Sequence, residues 1–136
     1  MLAERVSGSV YMVDAMLLGR PKALSTYIIL GDDETLIIDP GPPSSSETIL
    51  KAIGELGVNS AIIAPTHIHI DHAGGSWRLM EELEDAKLYV HPRGAPHMIN
   101  PSRLIEASKR LLGEKLVELY GEVRGVEAER VVESRD

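Results

Sequence analysis

The sequence predicts an α/β fold, a mixed sheet with helices on one face. Two observations predict it. Residues 8–39 divide into short runs rich in β-branched and aromatic residues, the composition of strands. From Glu34 to Pro65 an apolar strand, an amphipathic helix and a second apolar strand then follow one another, the pattern of a right-handed crossover between parallel strands.

Taken in order, Gly8 to Val13, Leu24 to Leu30 and Glu34 to Asp39 read as strands, and Gly31-Asp32-Asp33 as the hairpin loop joining the last two. Pro40-Gly41-Pro42-Pro43 stops the sheet, and Ser44-Ser45-Ser46-Glu47 fits a capping box that starts a helix. Ile49, Leu50, Ile53 and Leu56 recur at helical spacing, and Gly57 is placed to end that helix in a left-handed conformation. Ser60 to Pro65 reads as a strand buried on both faces. A second helix is expected from about Ser76 to Glu84, with Trp77, Met80 and Leu83 on its sheet side and an acidic run (Glu81, Glu82, Glu84, Asp85) in solvent. The strand Ala86 to Val90 follows. Asn100 and Pro101 cap a helix showing Leu104, Ile105, Leu111 and Leu112 on one face, Glu114 to Tyr120 is a short helical piece, and Arg130-Val131-Val132-Glu133 opens as a strand.

The 136 residues, 43% hydrophobic, suit one domain spanning residues 1–136. Phe is absent, which leaves the core to Ile, Leu, Val, Met and Ala. A net charge of -7 argues against nucleic acid as a partner, because phosphate-backbone binding draws on clustered Lys and Arg. Without cysteine there is no disulfide framework, no thiolate nucleophile and no Cys-based zinc site, so any metal must take nitrogen and oxygen ligands. The sequence shows neither a signal peptide nor a membrane span, and the chain reads as cytoplasmic.

Three of the five His residues and one Asp fall within Thr66-His67-Ile68-His69-Ile70-Asp71-His72-Ala73-Gly74-Gly75, just past the carboxyl edge of the expected parallel strands, where ligands collect. In an extended segment His67, His69 and Asp71 point the same way while Ile68 and Ile70 pack behind them. A turn into helix at Asp71 would swing His72 to the same edge. Imidazole and carboxylate donors suit zinc, manganese or iron, and such a set leaves a position for water. Gly74 and Gly75 let backbone pass close by. A single His here would more simply be a polar turn residue; three with an Asp at this spacing call for a metal.

His67-x-His69-x-Asp71-His72, preceded by Thr66 and followed by Ala73-Gly74-Gly75, resembles the signature of the metallo-β-lactamase superfamily, and Leu36-Ile37-Ile38-Asp39-Pro40-Gly41 resembles the strand and turn that come before it. The resemblance implies that His67 and His69 bind a first metal ion and Asp71 and His72 a second, one or two zinc ions in all. It gives Asp71 the catalytic task of orienting an attacking hydroxide. It puts Asp39 behind the ligands, accepting the ring N–H of a ligand His, although a simple turn cap would equally explain an Asp after a strand.

The family fold is a four-layer αββα sandwich of two similar halves, and this chain matches the first half. The second half supplies further ligands, and no His follows His97. A homodimer, or association with the missing C-terminal half, is therefore expected, because half a sandwich exposes the inner face of its sheet. His91, at the end of a strand, could serve as an extra ligand, although a local hydrogen bond is the commoner role for such a residue. The implied activity is that of a metal-dependent hydrolase in which a metal-held hydroxide attacks a thioester, lactone or related carbonyl of a small molecule. The alternatives are a non-catalytic metal-binding half-domain and a phosphodiesterase or nuclease, the last disfavoured by the acidic charge.

Overall fold

The structure is a computed structural model describing residues 1–135. Its strands are β1 (Ala3–Ser7), β2 (Val10–Asp14), β3 (Ser25–Leu30), β4 (Thr35–Ile38), β5 (Ile62–Ala64), β6 (Lys87–Val90) and β7 (Val131–Glu133). They form one sheet in chain order, β1 to β4 antiparallel and β4 to β7 parallel. The helices are α1 (Ser46–Glu55), α2 (Ile70–Ala73), α3 (Ser76–Glu82), α4 (Ala95–Ile99), α5 (Ser102–Leu112) and α6 (Glu114–Tyr120). The mixed α/β fold is the one expected, and the switch from antiparallel to parallel pairing falls where helical crossovers begin.

Alternation along the strands sorts the two faces. Val13, Ile28, Ile37, Ile63 and Leu88 are fully buried and share one core with Ile49, Ala52 and Ile53 of α1 and Leu79 and Met80 of α3. Each Val, Ile, Leu or Met among them contributes about 1.5–3 kcal/mol relative to leaving it in water. The intervening residues face the other way. Met12, Tyr27 and Ile38 form one row across the sheet and Ile29, Leu36 and Ile62 the next, and none of these six is fully buried. Tyr27 is 38% exposed, and Tyr89 and Val132, paired on β6 and β7, are each 40% exposed. The helical core residues therefore pack on one face and leave an apolar sheet surface on the other.

Several local expectations change. Glu4 and Arg5 break any apolar alternation, yet Ala3–Ser7 forms an edge strand, with Gly8 at φ 53° in the turn that returns the chain to β2. The capping box of Ser44 and Glu47 does not form: Ser44 lies inside a single-turn 3-10 helix, Pro43–Ser45, that leads directly into α1, and Ser45, at the helix start, has helical backbone angles and no side-chain cap bond. Gly57 does close α1 left-handed, at φ 69°, with the Val58 amide bonded to the Ile53 carbonyl. A helix, α4, forms in the Pro92–Pro101 connection, and on α5 Leu111 is 78% exposed while Ser108 is buried. Its hydroxyl donates to the Leu104 carbonyl, which lets a polar residue face α6.

β7 is returned to the sheet by Arg130, whose guanidinium donates to the carbonyls of Ala86 and Leu83 at 2.8–3.1 Å. The preceding strap is pinned to α3, where Trp77 Nε1 donates to the Glu122 carbonyl and the Arg124 guanidinium lies 4.5 Å over the Trp77 ring. Among the described residues no helix is long and apolar enough to cross a membrane.

A backbone seam ties the loop after β4 to α2 and α3. The Gly41 amide donates to the His72 carbonyl at 2.9 Å, and the Gly75 amide to the Gly41 carbonyl at 2.8 Å. A Cβ at Gly75 would meet the carbonyl oxygens of Gly41 and Pro42 at 2.8 and 2.9 Å, so only glycine fits. Gly75→Ala is expected to lower unfolding free energy by about 1–3 kcal/mol through overpacking against backbone. Gly54→Ala, in open space within α1, should stabilise by about 0.5–1 kcal/mol. Urea unfolding of both variants checks the contrast, and equal effects would contradict the seam.

Candidate metal centre

The site forms where β4 and β5 end. β5 stops at Ala64, and the chain bends through Thr66 and His67. It remains extended at His69 (φ -53°, ψ 139°) and then enters α2 at Ile70. The His69 carbonyl accepts the amides of His72 and Ala73, which fixes the helix start. Asp71 therefore lies in the first turn of a helix, not at the end of an alternating extended run, and the expected helix start moves forward one residue. Convergence is reached by the turn: the His67 ring centroid lies 4.7 Å from that of His69 and 4.2 Å from that of His72, and Asp71 Oδ2 is 3.7 Å from His72 Nε2.

Behind these side chains sits Asp39, buried, with its backbone at φ 54°. Asp tolerates the left-handed region better than most residues, which suits it to this turn. Its main-chain carbonyl accepts the buried Thr26 hydroxyl at 2.6 Å. Its carboxylate accepts the Thr66 amide at 2.7 Å and the Thr66 hydroxyl at 2.9 Å, and lies 3.2 Å from His72 Nδ1. The Thr66 oxygen is also 2.8 Å from His67 Nδ1.

An ionised carboxylate only accepts, so the hydroxyl of Thr66 donates to Asp39 and must accept from His67, which puts the neutral ring's proton on Nδ1. His72 likewise donates from Nδ1 to Asp39. Both Nε2 atoms are left with a lone pair to offer. His67 is held below its ordinary imidazole pKa, first by desolvation and then by repulsion from His72 and His69, which outweigh the pull of Asp39 and Asp71. The neutral form is the one a metal takes.

The donor chemistry fits a zinc-like ion, with three imidazoles and a carboxylate clustered and two ring tautomers set by hydrogen bonds. The geometry is not a closed cage. His67 and His69 meet edge to face at 88°, and among the described residues no group of three donors is already drawn around one point. His69 is exposed, and a turn about its side-chain torsions, cheap for an exposed residue, is what ligation would require, while the Thr66 contact keeps the His67 ring in place.

The strand-to-helix turn, the buried Asp39 and the clustered imidazoles define a class: the chain belongs to the metallo-β-lactamase superfamily, whose family model matches residues 19–134. Among particular relatives, a hydroxyacylglutathione hydrolase of Salmonella paratyphi A is 33% identical over 102 residues, covering 70% of this chain and 38% of that enzyme. The probable metallo-hydrolase YqgX of Bacillus subtilis is 34% identical over 71 residues, covering 52% of this chain and 32% of its own. An archaeal metallo-β-lactamase superfamily protein of Sulfolobus tokodaii superposes with a TM-score of 0.78 at 23% identity, over 95% of this chain and 49% of that one. The chain thus spans about four-tenths of the curated hydrolase and half of the solved structure.

Of the remaining candidates, His91 is exposed just after β6, and its Nδ1 accepts the Arg93 amide at 3.1 Å, the local role such a residue commonly plays. Two contributors are new. Thr66 is the link between His67 and Asp39, a role no spacing rule reveals. Tyr120, at the end of α6, packs beside Ile70. Its phenol is raised above its ordinary pKa by burial and by the charge of Asp71, so the helical segment after β6 reaches the edge of the site.

Asp39→Asn keeps a residue tolerant of the left-handed backbone but replaces one accepting oxygen by a donor. The expected result is a shift of the proton from Nδ1 to Nε2 on His67 or His72, read by long-range 1H–15N correlation of the imidazoles at alkaline pH, with melting temperature little changed. Retained Nδ1–H tautomers on both rings would contradict the proton count.

Proposed function

We propose that the chain carries half of the active site of a metal-dependent hydrolase, acting on a thioester, lactone or related carbonyl of a small molecule. The observation that carries this reading is the joint hold of Asp39 on Thr66 and His72, which sets the tautomers of two imidazoles, His67 exposed and His72 half-buried. A polar surface turn has no use for that. The relative named hydroxyacylglutathione hydrolase supports the thioester end of the range.

In this reading His67 and His69 hold a first ion, Asp71 and His72 a second, and the ions are zinc, with iron or manganese as chemical equivalents. His91 is the weaker candidate for a further donor. A bound ion supplies Lewis acidity and brings the pKa of water into the neutral range. The chain's own residues do the rest. Asp39 and Thr66 orient the rings of His72 and His67, in the manner of outer partners whose loss typically costs about 10–100-fold in metal affinity. Asp71, in the first turn of α2, accepts a hydrogen bond from the attacking water and sets its direction toward the carbonyl carbon. The buried Ile70 and Tyr120 close the α2 side of the site to bulk water.

A non-catalytic metal-binding half-domain is the second reading, favoured by the small set of donors, three imidazoles and one carboxylate, that this segment supplies. Metal-loaded protein is expected to hydrolyse members of a thioester and lactone panel, with His67→Ala reducing kcat/KM at least about a hundredfold, the scale of losing one stabilising contact at the reacting oxygen. Turnover untouched by His67→Ala would reject the catalytic assignment. One firmly held ion without turnover would favour the module.

The apolar sheet face carrying Tyr27, Tyr89 and Val132 is proposed to be covered by a second copy of the chain or by a C-terminal half. For the chain by itself, light scattering is expected to report a dimer mass, dispersed to monomer by Tyr27→Glu. A stable monomer at high concentration would count against self-pairing.

A further inference from the structure

We propose that the groove along α5 is a subsite for a carboxylate of the substrate, an inference that rests on the hydrolase reading and narrows its substrate class. The groove encloses about 500 Å³ between Ile68, His97, Arg103, Leu104, Ala107 and Arg110. That is the size of a small-molecule pocket. It is tied to the candidate metal centre through the chain: Ile68 lies between His67 and His69, and Leu104 packs on the cluster of Ile70, Val117 and Tyr120, whose Ile70 precedes Asp71.

Arg103, Ala107 and Arg110 recur at i, i+4 and i+7, so both guanidiniums rise from one face of α5 and flank an apolar floor. Among the described residues neither has an ion-pair partner, and Glu106, which also lines the groove, pairs with neither. Helix stability accounts for only one of them. Arg110 lies in the last turn, where a cation suits the helix dipole; Arg103 is the second residue of α5, where the dipole and the free amides disfavour a positive charge. A cation kept at that end, on a chain of net charge -7, has its natural counterpart in an anion from outside. Asn100 Oδ1 accepts the Ser102 amide at 3.3 Å, and the remaining first-turn amides of α5 add to the same field. Arginine suits a carboxylate in particular, because its planar fork matches the two oxygens.

The test compares three thioesters on the metal-loaded protein: an acetyl thioester of N-acetylcysteamine, which is neutral, the acetyl thioester of N-acetylcysteine, with the carboxylate on the thiol part, and a succinyl thioester of N-acetylcysteamine, with it on the acyl part. One of the two acidic substrates is expected to show a KM about tenfold below the neutral one, two exposed charge contacts acting together. Arg103→Gln/Arg110→Gln should erase that advantage while leaving KM for the neutral thioester and kcat within about twofold. Equal KM values across the three substrates, or an equal rise for all three in the double variant, overturns the subsite. If no thioester is turned over, the hydrolase reading fails and binding decides the subsite. Succinate titrated into the 15N-labelled protein should then give saturable shifts at amides 102–110 that vanish in the double variant; absence of saturation overturns the subsite as well.

Discussion

One buried carboxylate organises the site. Removing an ionised Asp from water costs several kcal/mol unless its oxygens are met by donors, and among the described residues the one ion-pair partner of Asp39 is His72, when that ring is protonated. It must therefore gather neutral donors. The Thr66 amide, the Thr66 hydroxyl and His72 Nδ1 are those donors, and they come from the end of β5 and from α2. Meeting the demand of Asp39 thus pulls together the turn after β4 and the segment from Thr66 to His72, 27 to 33 residues further along the chain. The backbone seam of Gly41 with His72 and Gly75 holds the same segments from the other side, and the absence of a Cβ at Gly75 is what lets them approach.

This explains which parts of the molecule were legible in the sequence. The central strands and α1 announced themselves because burial on one or both faces writes a period into the chain, as at Ile37, Ile63 and the Ile49 to Ile53 face. The density of His67, His69, Asp71 and His72 was equally plain. What periodicity cannot show is anything set by a partner distant in sequence. β1 exists because β2 offers an edge, despite Glu4 and Arg5. α4 packs where β7 needs a neighbour. The capping box failed because Pro43 starts a 3-10 turn that already satisfies the helical angles at Ser45. The start of α2 at Ile70 follows from the His69 carbonyl receiving two amides, a tertiary detail that strand-like alternation of Ile68 and Ile70 conceals.

The asymmetry between the two faces of the sheet has the same root. Helices α1 and α3 cover the face that carries Ile28, Ile37, Ile63 and Leu88, leaving Tyr27, Tyr89 and Val132 partly in water. Those residues are large and apolar or aromatic, the types that gain most from being covered, and a sheet with polar side chains at those places would have served an open face. On the proposed reading this is the surface that a second copy or a C-terminal half covers, and it lies apart from the carboxyl edge where the imidazoles cluster.

The direction from which the donors arrive matters for chemistry. His67, His69, Asp71 and His72 all belong to one six-residue segment, so on the proposed reading they approach an ion from one side only. A structural zinc site closes its coordination shell with protein atoms, whereas a catalytic one keeps a position for water or substrate. A single turn cannot surround an ion, because its residues share one backbone path and hydrogen bonds to Asp39 and Thr66 already fix two of the rings. The hemisphere opposite is left to whatever meets the sheet edge, a second set of donors or a substrate carbonyl. On the proposed reading, the hold on tautomers behind the ligands and the openness in front suit hydrolysis, which needs a position for water, better than storage of a metal.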